Sequence, residues 1–143
     1  MSKKLIGIAA IAGLALIGYI LADPDYKGEQ KIPENPPIDA STEASRLDYF
    51  ASHGWEVQEL SEKEITIPLD FTGEYESYAQ LQDKQGMPLR EYAGKSGKLY
   101  VYEVQNYAPD ESNMLAELLV CDDTAIASLV YSDNGSGKSL AVS

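Results

Sequence analysis

Apolar and polar positions divide this chain into four unequal stretches. The first, Leu5 to Ala22, reads LIGIAAIAGLALIGYILA and holds no charge. At 1.5 Å per residue it makes about 27 Å of helix, close to the ~30 Å hydrocarbon core of a bilayer. Lys3 and Lys4 precede it, and Asp23 and Asp25 follow it. That charge bias places the N-terminus inside and the remainder outside the cytoplasm. A stretch apolar on every face behind a basic start reads as an export segment rather than a core helix. Ile20-Leu21-Ala22 is a fair peptidase site, with a small residue only at its last position. Residues 1–22 therefore read as either a retained membrane anchor or a cleaved signal peptide. No Cys follows, which excludes lipid attachment at that point.

The second stretch, residues 23–40, carries Pro24, Pro33, Pro36 and Pro37. Proline fixes φ and biases the preceding residue to extended geometry, so no helix forms there. The segment reads as a semi-rigid linker with a reach of about 55 Å. The alternative is an arm lying along the domain, docked by Ile32 and Ile38.

The third stretch, residues 41–132, has the periodicity of a folded domain. Ser41 or Thr42 caps a helix whose inner face is Ala44, Leu47, Phe50 and Ala51, and Gly54 stops it. Trp55-Glu56-Val57 starts a strand. The charges at Glu59, Glu62, Lys63 and Glu64 predict a turn. Ile65, Ile67 and Leu69 then alternate as a strand whose end, at Pro68, lies on a sheet edge. A second helix fits residues 72–85, capped by Thr72 and ended by Gly86, with Tyr75, Tyr78, Ala79 and Gln82 facing inward. Residues 86–97 are mostly loop, pinned by Leu89 and Tyr92. Leu99 to Tyr107, Met114 to Cys121 and Thr124 to Tyr131 are strands, and the middle one is apolar on both faces except at Glu117. Pro109 to Ser112 and Asp122-Asp123 supply the turns between them. The expected fold is α+β: an antiparallel meander of about four to five strands packed against two helices. The fourth stretch, residues 133–143, reads as a flexible tail. No internal repeat is present.

Charge narrows the function classes. Eleven basic residues against 23 acidic ones give a net charge of −12, and the leader holds two of the lysines and no acid. Such a surface repels nucleic acid and anionic lipid heads. One Cys and one His exclude an intrachain disulfide, a Cys-rich metal site and a paired-His site.

The remaining constellations are weak. Gly137-Lys138-Ser139 lacks both the upstream Gly and the following helix of a P-loop. Cys121 on an inner strand and His53 near a helix end share no spacing that would make a nucleophile pair. Asp110-Glu111 and Asp122-Asp123 lack the loop pattern of a calcium site. Neither a catalytic set nor a cofactor or metal site is designated. Tyrosine is the unusual count, ten against two Phe and one Trp. Tyr75 and Tyr78 share a helix face, Tyr100 and Tyr102 share a strand face, and Gln82 and Gln85 lie beside them. These six residues are the candidate ligand or partner face. The competing reading packs the helix stripe directly on the strand stripe as core.

Tyr78 to Pro109, YAQLQDKQGMPLREYAGKSGKLYVYEVQNYAP, resembles a domain-of-unknown-function family numbered 4830, found in exported proteins of Gram-positive bacteria. Tyr78, Leu81, Gln82, Gln85, Gly86, Leu89, Tyr92, Gly94, Lys95, Tyr100, Tyr102 and Tyr107 carry the resemblance, with Gly54-Trp55 and Ile67-Pro68 upstream. It spans about residues 44–131. Where that family often has a Gly pair after an Ile, this chain has Ala127-Ser128 after Ile126. The resemblance implies export and a small α+β domain, and it implies no catalytic residues.

The expectation is an extracytoplasmic domain, membrane-anchored or secreted, acting as a non-enzymatic binding or regulatory module. Its partners would be the membrane, through the N-terminal helix, and another envelope protein. A sheet edge near Ile65–Leu69 would receive a partner strand. The alternatives are a small-ligand or cell-wall-fragment binder using the Tyr-rich face, and an acid-dependent hydrolase with two carboxylates in one cleft.

Overall fold

The computed structural model describes residues 36–106, 114–132 and 139–142. The leader, most of the linker, Tyr107 and the Pro109–Ser112 turn lie outside the described residues. No helix among the described residues is long and apolar enough to cross a membrane.

Helix α1, Glu43–Ala51, begins where a side chain can satisfy its free N–H groups. Thr42 Oγ1 accepts from the Ser45 N–H at 3.0 Å, and Ser45 Oγ accepts from the Thr42 N–H at 3.1 Å. This reciprocal box is the cap that the sequence announces. Its buried face is Arg46, Tyr49 and Phe50, with Leu47 partly covered, whereas Ala44 and Ala51 are exposed.

Strand β1, Val57–Thr66, runs straight through the charged stretch expected to turn. Glu59, Glu62, Lys63 and Glu64 are tolerated there because β1 pairs only with β2 and is the sheet edge. Charge on an edge strand is a common protection against unwanted pairing. Leu60 is an extra residue at a register slip between Glu59 and Ser61.

Helix α2, Glu74–Gln85, is preceded by Gly73 at φ +57 and closed by Gly86 at φ +76. Thr72 does not cap it as expected. Gly73 occupies the cap position, and the Thr72 carbonyl, not its side chain, accepts from the Tyr75 N–H. A 3-10 turn, Leu89–Tyr92, then leads to β2, Ser96–Val104. Strands β3, Met114–Cys121, and β4, Thr124–Ser132, are joined by Asp122 at φ +52 and Asp123 at φ +60. Two consecutive positive φ values match the right-handed twist of a two-residue hairpin. A short strand β5, Ser139–Leu140, completes the antiparallel order β1-β2-β3-β4-β5.

Alternate residues of a strand face opposite sides of a sheet, and both sides here are covered. Leu99, Val101, Leu115, Leu119 and Leu129 pack beneath α2 with Tyr78, Ala79 and Leu89. Tyr100, Tyr102, Leu118, Val120 and Val130 pack beneath α1 with Tyr49 and Phe50. The fold is α+β, with one helix on each side of the antiparallel sheet. The expected packing of the Tyr75–Tyr78 stripe on the Tyr100–Tyr102 stripe does not occur, because α1 already occupies the side to which the even-numbered residues of β2 point.

The domain also extends past both expected boundaries. Ile38 O accepts from the Ala125 N–H and Asp123 O from the Ala40 N–H, each at 2.9 Å, so the end of the linker lies against β4. Residues 139–142 of the expected loose tail are docked: β5 pairs with Val130 and Tyr131, and Val142 is buried.

Candidate functional site

The six residues of the candidate face are not on one surface. Tyr78 belongs to the core beneath α2, and Tyr100 and Tyr102 to the core beneath α1. Tyr78 and Tyr102 are buried, and only Tyr75 and Gln85 are intermediate in exposure. Gln82 and Gln85 are structural. Gln82 Nε2 donates to Ser128 O at 2.8 Å, and Gln82 Oε1 accepts from the Ser128 N–H at 2.9 Å. Gln85 Nε2 donates to Gln82 Oε1, and Gln85 Oε1 accepts from the Val142 N–H at 2.7 Å. The outer side of β4 is thereby covered from end to end. Residues 38–40 bond its start, the glutamines bond its middle, and β5 bonds its end.

Edge β1 has the opposite character. Its outer side is unpaired among the described residues over a ten-residue strand. Register with β2 puts Glu59, Glu62 and Glu64 on the α1 side and Ser61, Lys63 and Ile65 on the α2 side. Glu59 is held by Arg46 at 3.4 Å, and Glu62 reaches Lys98 at 3.8 Å. The Arg46 guanidinium itself lies 4.0 Å over the Tyr100 ring. Beside the end of β1, a hollow of about 470 Å3 is lined by Ile65, Pro68 and Tyr75 among others. Leu69, just beyond, is 78 % exposed, and Leu60 at the bulge is 44 % exposed.

A second feature lies inside the sheet. Glu117 has no exposed surface, and among the described residues only the Tyr78 hydroxyl acts on its carboxylate as a hydrogen-bonding neighbour. The hydroxyl of Tyr78 has no other hydrogen-bond partner among the described residues. Burial raises the Glu117 carboxyl to about 8, while nearby Tyr78 pulls it partly back. Burial and then the Glu117 charge push the Tyr78 hydroxyl well above its usual range. The sequence pointed to Glu117 only as the single charge in an otherwise apolar strand.

The nucleophile candidates are separate. Cys121 Sγ donates to Ser96 O at 3.3 Å, and burial raises its thiol. His53 Nδ1 lies 3.0 Å from Tyr49 O in a different hollow. Among the described residues no group of three or more His, Cys, Asp or Glu is placed to hold a metal ion. Ser139, the last residue of the P-loop-like triplet, begins β5 rather than a helix.

No family model, no curated protein and no solved structure matches this chain.

Proposed function

We propose that this chain is an extracytoplasmic, non-enzymatic binding module, held at or released from the membrane, that engages another envelope protein by strand addition at β1. The observation that carries the reading is the asymmetry of the two sheet edges. Linker, helix side chains and β5 cover β4, whereas β1 offers ten residues of backbone paired on one side only among the described residues. An open edge gives an extended partner main-chain hydrogen bonds, and the flanking hollow by Ile65 and Tyr75 gives a place for a side chain. The apolar leader and the proline-rich linker support delivery to the outer side of a membrane.

The test is a photo-reactive residue placed in the full chain at Leu60, on the edge, and separately at Lys84, on the exposed side of α2. One envelope protein cross-linked through position 60 and not through position 84 is the expected result. That cross-link should disappear when Glu62→Pro, in a chain shown to be folded, blocks the edge. Equal cross-linking from both positions, or recovery of the chain from the cytoplasm alone, overturns the reading.

A further inference from the structure

Strand β3 is paired with β2 on one side and with β4 on the other, and Glu117 stands at its middle. Val101 lies across from it on β2 and Leu129 on β4. The titratable groups that face this pocket are Tyr78 from α2 and Tyr131 from β4, with Tyr49 of α1 acting on Tyr78 from farther off. Among the described residues no cation contributes to the site: the influences on the carboxyl are burial and Tyr78. A fully buried carboxylate here has only the Tyr78 hydroxyl against its lost hydration, and burial outweighs it, so the closed structure selects the protonated acid.

Hydrating Glu117 requires moving one of the layers around it. The sheet is stitched to β3 by backbone bonds along both edges. Helix α2 is held to the sheet by side chains, chiefly Gln82 and Gln85 on Ser128. The Arg90 pairs with Glu76 and Asp83 tie α2 to the 3-10 turn and not to a strand. The helix is therefore the layer that can move without breaking the backbone pairing of β3.

We propose that Glu117 is a proton-operated latch on α2. With its proton in place, the helix is closed on the sheet. When the proton passes to water, α2 lifts, and Tyr78 and the inner faces of β3 and β4 become accessible. The latch does not rest on strand addition at β1, although Tyr75 of α2 also lines the hollow beside that edge.

The test uses the full chain and two measurements across pH 5 to 9: the carboxyl carbon shift of Glu117, and amide exchange corrected for its intrinsic pH dependence. The carboxyl is expected to titrate far above the ordinary range in the folded protein. Protection of the α2 amides is expected to fall by up to ~10-fold per pH unit until the carboxyl is fully ionised. Amides pairing β2 with β3 should hold their protection, and Glu117→Gln should abolish the α2 slope. A carboxyl titrating near 4.5 overturns the proposal. So does a slope that survives in Glu117→Gln, or an equal loss of protection in α2 and in the β2–β3 pair. Should Glu117→Gln fail to fold, the carboxyl titration and the comparison of α2 with β2–β3 in the unaltered chain decide the matter.

Discussion

The side-chain amide of Gln82 meets both backbone groups of Ser128, donating to its carbonyl at 2.8 Å and accepting from its N–H at 2.9 Å. A helix residue thus takes the place of one residue of a neighbouring strand. Gln82 is fully buried, so water cannot substitute for it. Buried backbone groups without partners cost about 1–3 kcal/mol each.

Replacing Gln82 by Leu should therefore destabilise the domain by about 1–3 kcal/mol, since the Ser128 N–H loses its partner and the Ser128 carbonyl keeps only the longer bond from Gln85 Nε2 at 3.2 Å. Gln82→Glu should be at least as damaging, because its oxygen would face the Ser128 carbonyl where a donor is needed. Urea unfolding with an unchanged m-value checks both, since a shifted midpoint then reports stability alone. A shift below about 0.5 kcal/mol would mean that another group takes over the edge.

Gly97 marks a second close approach. A Cβ built there would lie 2.8 Å from the backbone oxygen of Val120 on the neighbouring strand. Backbone in a paired strand cannot yield as a side-chain tip can. Gly97→Ala should cost about 1–3 kcal/mol by overpacking, measured by thermal or denaturant unfolding. It should also weaken amide protection around Val120 before that of β1. A neutral substitution would show that β2 and β3 can separate slightly at little cost.

The elements whose signals are local were legible in the chain itself. Thr42, one of the two caps the pattern offers, starts α1, Gly86 ends α2, and Asp122-Asp123 turns β3 into β4 within a residue of where the pattern placed them. The candidate face was not legible, because it depended on which side of the sheet each helix would choose. Period-2 alternation says that Leu99 and Tyr100 face opposite ways, yet does not say which helix each will meet. The charged run at Glu59–Glu64 was misread as a turn because exposure on an edge strand and exposure in a loop select the same residues. Ile38 docks as the alternative reading of the linker allowed, while docking of residues 139–142 rests on long-range bonds to β4 and Gln85, which no local pattern encodes.

Stability should depend on pH with a sign set by Glu117. Its folded-state value, about 8, lies above the ordinary 4.5, so the folded state binds the proton more tightly than the unfolded state. The contribution is fully present below pH ~4.5, is lost at about 1.4 kcal/mol per unit as pH rises, and is gone above pH ~8. Glu117→Gln should flatten this slope and raise stability at pH 8 relative to the unaltered chain. Midpoints from urea unfolding between pH 5 and 9 test it. A slope of opposite sign in that window would show that other groups dominate.

The chain has one tryptophan, and its indole reports on the C-terminus. Trp55 Nε1 donates to Val142 O at 2.9 Å, while the Val142 N–H is bound by Gln85. Removing residues 139–143 deletes β5, uncovers Val130 and Tyr131, and leaves the partly buried indole N–H to water. Emission of Trp55 should shift to the red in the folded, truncated chain, and stability should fall by roughly 1–3 kcal/mol for the lost burial and bonds. Because Gln85 also holds Gln82 at 2.8 Å, the truncation should loosen α2 as well. Its effect and that of Gln82→Leu should then combine less than additively in a double-mutant cycle. Strict additivity would mean that the tail and the glutamine pair stabilise β4 independently.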